Sequence, residues 1–186
     1  MVNRKNTNYL MEAVLGSDEE AIRDIVYAIG ESKGKWSHFI SNLFSAEVTE
    51  AAKEQFHTVW VELGWRIRSQ VGDDKALARM LSALLPKYRG ESIQLYRGES
   101  AERYGIGRIG FCWTPNIEMA RTFARGLNAY FGDGGVLLAT MANQSSIIAG
   151  PNDHSIHLGE HEYTLDPFSL SDIEVLKTYP PLPPDW

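Results

Sequence analysis

Apolar positions in the first half of the chain recur every three or four residues; beyond Lys87-Tyr88-Arg89-Gly90 they gather into short runs. The first pattern is that of helices with one buried face, the second that of strands. Ser17, followed three residues later by Glu20, has the form of a capping box, and Ile22, Ile25, Val26 and Ile29 then repeat at helical spacing up to Gly30. A longer stretch over 47–70 lines up Ala52, Phe56, Val59, Trp60, Leu63 and Ile67 on one stripe. A third begins at Asp73 or Asp74, carries Leu77, Met80, Leu81, Leu84 and Leu85, and stops at Pro86. Apolar residues over 9–15 and an aromatic segment over 36–44 complete this half, and their aromatics read as core.

In the second half, strand-like runs are expected at 93–97, 109–113, 135–141, 146–148, 160–165 and 173–176. One helix interrupts them: Thr114 reads as its N-cap and Pro115 as its first residue, Ile117, Ala120, Phe123 and Ala124 as its buried side, and Gly126 as its terminator. Helices first, then short strands around a single helix, predict an α+β fold with a mixed or antiparallel sheet. The expected organisation is a helical region over 1–89, a sheet-bearing core over 90–178 on which it packs, and a Pro-rich tail over 179–186. That tail, Pro180-Pro181-Leu182-Pro183-Pro184, reads as a stiff polyproline II terminus, with a Pro-x-x-Pro ligand as the alternative.

Composition narrows this picture. At 186 residues, 44% hydrophobic and 23% charged, the chain has enough apolar side chains to bury a core. A net charge of −6 argues against a broad nucleic-acid surface, although Arg66, Arg68, Arg121 and Arg125 fall on expected helices and leave local basic spots open. Cys112 is the only cysteine, so no intrachain disulfide and no multi-cysteine zinc site can form. No long apolar run follows the polar start of the chain, and the expected address is the cytoplasm, that of a target cell if the protein is delivered.

The chemistry centres on Glu160 and Glu162, in Leu158-Gly159-Glu160-His161-Glu162-Tyr163-Thr164-Leu165. On a strand, residues two apart share a face, which would set the carboxylates roughly 7 Å apart. Like charges so placed raise a pKa and suit acid/base or cation-stabilising work, while the plainer alternative is a solvated strand face. Two further pieces stand at strand ends upstream: Leu95-Tyr96-Arg97-Gly98, and Cys112-Trp113-Thr114-Pro115 ahead of Ala120 and Phe123-Ala124. His154, His157 and His161 with Asp153 are spaced too irregularly for a metal site, and none is expected.

This order of arginine, strand end feeding a helix, and Glu-x-Glu resembles the mono-ADP-ribosyltransferases of the arginine-serine-glutamate class, over residues 90–178. The resemblance implies an NAD-binding core of that fold. Glu162 would stabilise the ribosyl cation and hold the ribose 2′-hydroxyl, and Glu160 would orient and deprotonate an acceptor, an arginine on a protein. It further implies that Arg97 anchors the NAD phosphates and that Gly98 lets the cofactor approach the main chain and meets the nicotinamide amide. Cys112, Trp113 and Thr114 would form the middle motif of the binding site, Thr114 either supporting it or only capping the helix. Residues 151–158 fall where the family has its acceptor-recognition loop, and Tyr130 or Phe131 could stack on nicotinamide. One departure stands out: the middle motif ordinarily begins with serine, and here Cys112, a weaker donor, replaces it.

The leading expectation is therefore an ADP-ribosyltransferase that uses NAD as substrate and needs no metal, acting as a bacterial or phage effector or toxin without membrane or nucleic-acid partners. The alternatives are an NAD glycohydrolase, with water as acceptor, and a non-catalytic binding module that keeps the fold.

Overall fold

The computed structural model describes residues 2–30, 36–129 and 132–182, without the side chains of 2–8. Two compact units divide between Lys87 and Tyr88, two residues ahead of the expected boundary. In the first, the helices are α1 (Val2–Leu15), α2 (Glu19–Ala28), α3 (Ser37–Leu43), α4 (Glu50–Val71) and α5 (Asp74–Leu84). The apolar stripes meet as the periodicity predicts: Ile22, Val26, Phe56, Trp60, Ile67, Leu77 and Leu81 are almost wholly removed from solvent. Trp36 meets the edges of Phe39 and Phe56 at centroid distances of 5.5 and 6.5 Å, which places the aromatic segment in the core.

Gln70, buried on α4, joins three parts of this unit. Its oxygen accepts from Trp36 Nε1 at 2.9 Å, and its amide nitrogen donates to the carbonyls of Val26 and Gly30 at 2.8 and 2.9 Å. The carbonyls left open at the C-terminal end of α2 are satisfied by this side chain. The N-cap of α2 is Asp18, whose carboxylate accepts from Ala21 N. Ser17, the expected cap, instead lies in the left-handed region at φ 56°. A carboxylate one residue later does the hydroxyl's work.

The second unit holds β1 (Ile93–Ser100), α6 (Ala101–Gly105), β2 (Cys112–Trp113), α7 (Ile117–Arg125), a 3-10 turn (Leu127–Ala129), β3 (Gly135–Ala142), β4 (Ile147–Ala149), α8 (Asp153–His157), β5 (Tyr163–Leu165) and β6 (Glu174–Tyr179). They form two three-stranded antiparallel sheets, β1-β3-β6 and β2-β5-β4. Helices and antiparallel sheets together make the chain α+β. Among the described residues a single bridge joins the sheets, Tyr96 and Thr114 exchanging N–H···O bonds of 2.8 and 2.9 Å. Leu95, Val136 and Leu138 from the first sheet meet Trp113, Ile147 and Leu165 from the second in one apolar cluster.

Helix α7 lies on the other face of β1 and β3, where Ala120 and Ala124 pack with Leu137 and Tyr96. Its N-cap is Asn116, accepting from the N–H groups of Glu118 and Met119; Thr114 and Pro115 precede the helix rather than start it. Two glycines let the helix come close. A Cβ on Gly98 would lie 2.3 Å from Ala124 N and 2.4 Å from Ala120 O, and one on Gly135 would lie 1.8 Å from Ala124 O. Among the described residues no helix is long and apolar enough to cross a membrane.

Candidate active site

The second unit gathers Arg97, Cys112, Glu160 and Glu162 at the seam between its sheets. Arg97 comes from β1 and Cys112 from β2, and the glutamates stand in the turn between α8 and β5. The bridge from Tyr96 to Thr114 sets this meeting, because it brings the residue after Tyr96 beside the end of β2. Arg97 then donates through Nε to Glu99 Oε2 at 2.9 Å and through Nη1 to the carbonyl of Cys112. Room for the guanidinium comes from Gly110, where a Cβ would fall 2.0 Å from Nη2 and 2.2 Å from Cζ.

The glutamates do not converge by strand alternation. Strand β5 begins only at Tyr163; a turn at Leu158 and Gly159 leads into an irregular segment over Glu160, His161 and Glu162, and Gly159 and His161 both have positive φ, 72° and 45°. A strand over these residues is prevented by their pairing: the N–H groups of Glu160 and His161 both donate to the carbonyl of Ser155, at 3.0 and 3.1 Å. That carbonyl belongs to α8, a helix formed where a recognition loop is expected, capped by Asn152 and pinned by the buried Ser155. Thr114 closes the arrangement, its hydroxyl donating to the carbonyl of Glu160 at 2.6 Å and accepting from Asn116 N at 3.1 Å. Thr114 therefore supports the turn that carries the glutamates.

Glu162 ends just before the residue that pairs with Trp113, which makes it a diagonal neighbour of Cys112 across the β2–β5 pair. Burial pushes its pKa up to about 7, and the charge of Glu160 adds to this. A hydrogen bond from the Cys112 thiol and the charge of Arg97 act the other way. Glu162 Oε1 is buried and finds no partner among the described residues. Such an orphaned acceptor is costly to hold in a folded chain.

Arg97 is largely but not wholly removed from water, its side chain 16% exposed. Burial alone would lower its pKa, but Glu99, Cys112 and Glu162 hold it charged. With Nε and one N–H of Nη1 committed to protein groups, a bidentate grip on phosphate would fall to the remaining N–H groups of Nη1 and Nη2. Trp113 lies away from the glutamates: its ring is in the core cluster, 1% exposed, with Nε1 donating to Gly110 O at 3.2 Å. The carbonyl of Gly98 accepts from Asn128 Nδ2 at 2.9 Å, so that main-chain acceptor is in use. The glycine itself is required by α7.

Glu99, Gly110, Ser155 and Asn128 were not marked by any sequence motif, yet each touches or shapes this region. Only Glu99 carried a readable signal, a glutamate two positions from Arg97 and so on the same strand face. Tyr130 and Phe131, the candidates for stacking on nicotinamide, lie outside the described residues, as do Pro183 and Pro184 of the tail. No group of three or more His, Cys, Asp or Glu among the described residues is arranged to hold a metal ion. Of the arginines considered as basic spots, Arg68 is bound by both oxygens of Asp74, Arg121 pairs with Glu118, and Arg66 lies over the rings of Tyr27 and Trp65. In comparison with known proteins, the chain matches no family model, no curated protein and no solved structure.

Proposed function

We propose that the chain is a mono-ADP-ribosyltransferase that moves ADP-ribose from NAD to an arginine side chain, with the reaction centred on Glu162. The observation that carries this reading is a desolvated carboxylate with one unpartnered oxygen, set beside a fixed guanidinium, a thiol donor and a second carboxylate. Breaking the glycosidic bond of NAD sends its electron pair to the nicotinamide nitrogen and leaves positive charge on the ribose, as glycosyl transfer generally does. Glu162 in its ionised form supplies the opposing charge, in a place where little water screens it. Oε1 is the free acceptor for the ribose 2′-hydroxyl. The acceptor guanidine attacks C1′ and passes its proton to Glu160.

The cationic nicotinamide ring of bound NAD would itself favour ionised Glu162, so binding prepares the catalytic form. Cys112 in place of serine was the motive for a binding module without activity. The thiol's hydrogen bond to Glu162 weakens that motive.

The deciding measurement follows nicotinamide release and labelled ADP-ribose transfer from NAD to an extract, in wild type and in Glu162→Gln. We expect release and transfer to fall by two or more orders of magnitude in the variant, the loss of about 3 kcal/mol of transition-state stabilisation. Equal labelling by the two proteins would overturn the proposal. Glu160→Gln separates the acceptor role, and its expected result is loss of transfer with hydrolysis of NAD largely kept.

A further inference from the structure

Glu99 is the most deeply buried carboxylate of the second unit and has no part in the reaction proposed above. It follows Arg97 by two residues on β1, so both side chains leave the same face of the strand, the face that carries Leu95 in the core. Its side chain is 0% exposed. Both oxygens are fully employed: Oε2 accepts from Arg97 Nε at 2.9 Å and Gly110 N at 2.8 Å, and Oε1 accepts from Ser100 N at 2.9 Å and lies 3.5 Å from Arg103 Nε. Burial works against the charge, but Arg97, Arg103 and the backbone donors hold the pKa of Glu99 below the ordinary carboxylate range.

A carboxylate that only neutralised a buried arginine would not need two main-chain donors to fix its plane. Here the backbone of β1 and the glycine segment before β2 both grip it, so the carboxylate is a rigid stop for Nε. With Nε held there and Gly110 leaving no side chain in the way, Nη1 reaches the Cys112 carbonyl on the opposite sheet. That second bond leaves the guanidinium charge acting on Cys112 and on Glu162.

We propose that Glu99 is a positioning residue: its reach and its backbone-fixed plane set the placement of the Arg97 guanidinium beside Glu162. The catalytic meaning of this rests on the ADP-ribosyltransferase reading, whereas the placement itself does not. A net-charge effect and a reach effect are separable, because aspartate keeps the charge and shortens the arm, while glutamine keeps the arm and removes the charge.

The test is a carboxyl NMR titration of Glu162 in the full chain, for wild type, Glu99→Asp and Glu99→Gln, with circular dichroism confirming the fold. Glu162 is faced there by Arg97 from β1, Cys112 from β2 and Glu160 from its own turn. In Glu99→Asp the guanidinium follows the shortened arm away from β2, and the Glu162 midpoint is expected to rise by about half a pH unit or more. An unchanged midpoint in a folded Asp variant would overturn the proposal. Should that variant not fold, Glu99→Gln decides: with Arg97 still in place and less shielded, the midpoint falls, and a midpoint unchanged or raised counts against positioning by reach. Nicotinamide release adds the kinetic arm, with kcat of Glu99→Asp expected to drop about tenfold at nearly constant KM. If the wild type releases no nicotinamide, the functional reading fails while the titration still decides the role of Glu99.

Discussion

At the scale of single residues, the site turns on how one thiol and one carboxylate share a proton-rich corner. The Cys112 thiol stabilises ionised Glu162 only weakly, since S–H is a poor donor. Cys112→Ser supplies a stronger donor and should move the acid limb of kcat/KM for nicotinamide release to lower pH from its starting point near 7, whereas Cys112→Ala should move it up. Limbs that coincide in the three proteins would show that the thiol does not tune Glu162. The same carboxylate is a burden on the fold. Glu162→Gln removes a buried charge, and we expect it to raise stability at pH 8 by about 1–3 kcal/mol in denaturant titrations while activity is lost.

Among elements, α7 shows what distinguishes a backbone constraint from a capping one. Gly98→Ala puts a methyl group against the main chain of α7, which cannot move aside as a side-chain tip can, and should cost about 1–3 kcal/mol or displace the helix. Asn116→Ala removes the cap alone and should cost about 1 kcal/mol, with the strands of the second unit unaffected in hydrogen exchange. The helices and the longer strands were legible because each has a periodic apolar face: Phe56, Trp60 and Ile67 on α4, and the alternation through Leu95 on β1. Among elements of two to five residues, β4 was expected at 146–148 and β2 and β5 fall within expected strands, but their ends, and the short helices, were not legible, because such pieces bury too little to leave a period. Strand β2 shrank to Cys112–Trp113, α6 and α8 formed in segments that read as connections, and Glu-x-Glu proved to be an irregular segment ahead of β5. The charge of Glu160 still acts on Glu162, for a different reason. Backbone bonds to Ser155 and Thr114, which no side-chain pattern announces, do what strand alternation was expected to do.

On the scale of the whole molecule, the two units respond to pH with opposite slopes. His57 in the first is buried, its Nε2 has no partner among the described residues, and burial lowers its pKa to about 4. The unfolded chain then binds the proton more readily, so this unit loses stability as pH falls from about 6.5 toward 4. Glu162 in the second has a folded pKa raised to about 7, so the folded state binds the extra proton. That unit loses stability as pH rises from about 4.5 through 7, by roughly 3 kcal/mol in total. Global melting should therefore look nearly flat across this window while the parts diverge. Residue-resolved hydrogen exchange at pH 5 and pH 7 is the measurement, with amides of α4 expected to be better protected at pH 7 and those of β3 better protected at pH 5. Parallel changes in both units would contradict the assignment.

The seam between the sheets carries a consequence for descent. Arg97 fastens β1 to β2 through the Cys112 carbonyl and, with Arg103, offsets the buried charge of Glu99. A descendant under no selection at Glu162 would still need Arg97. Glu162 is under the reverse pressure, since its charge weakens the fold and a neutral side chain would relieve it. In a lineage of such chains, a retained arginine would testify to architecture and a retained glutamate to selection for the proposed function, so the residue that drifts first when such selection lapses is the one the fold would gain from replacing.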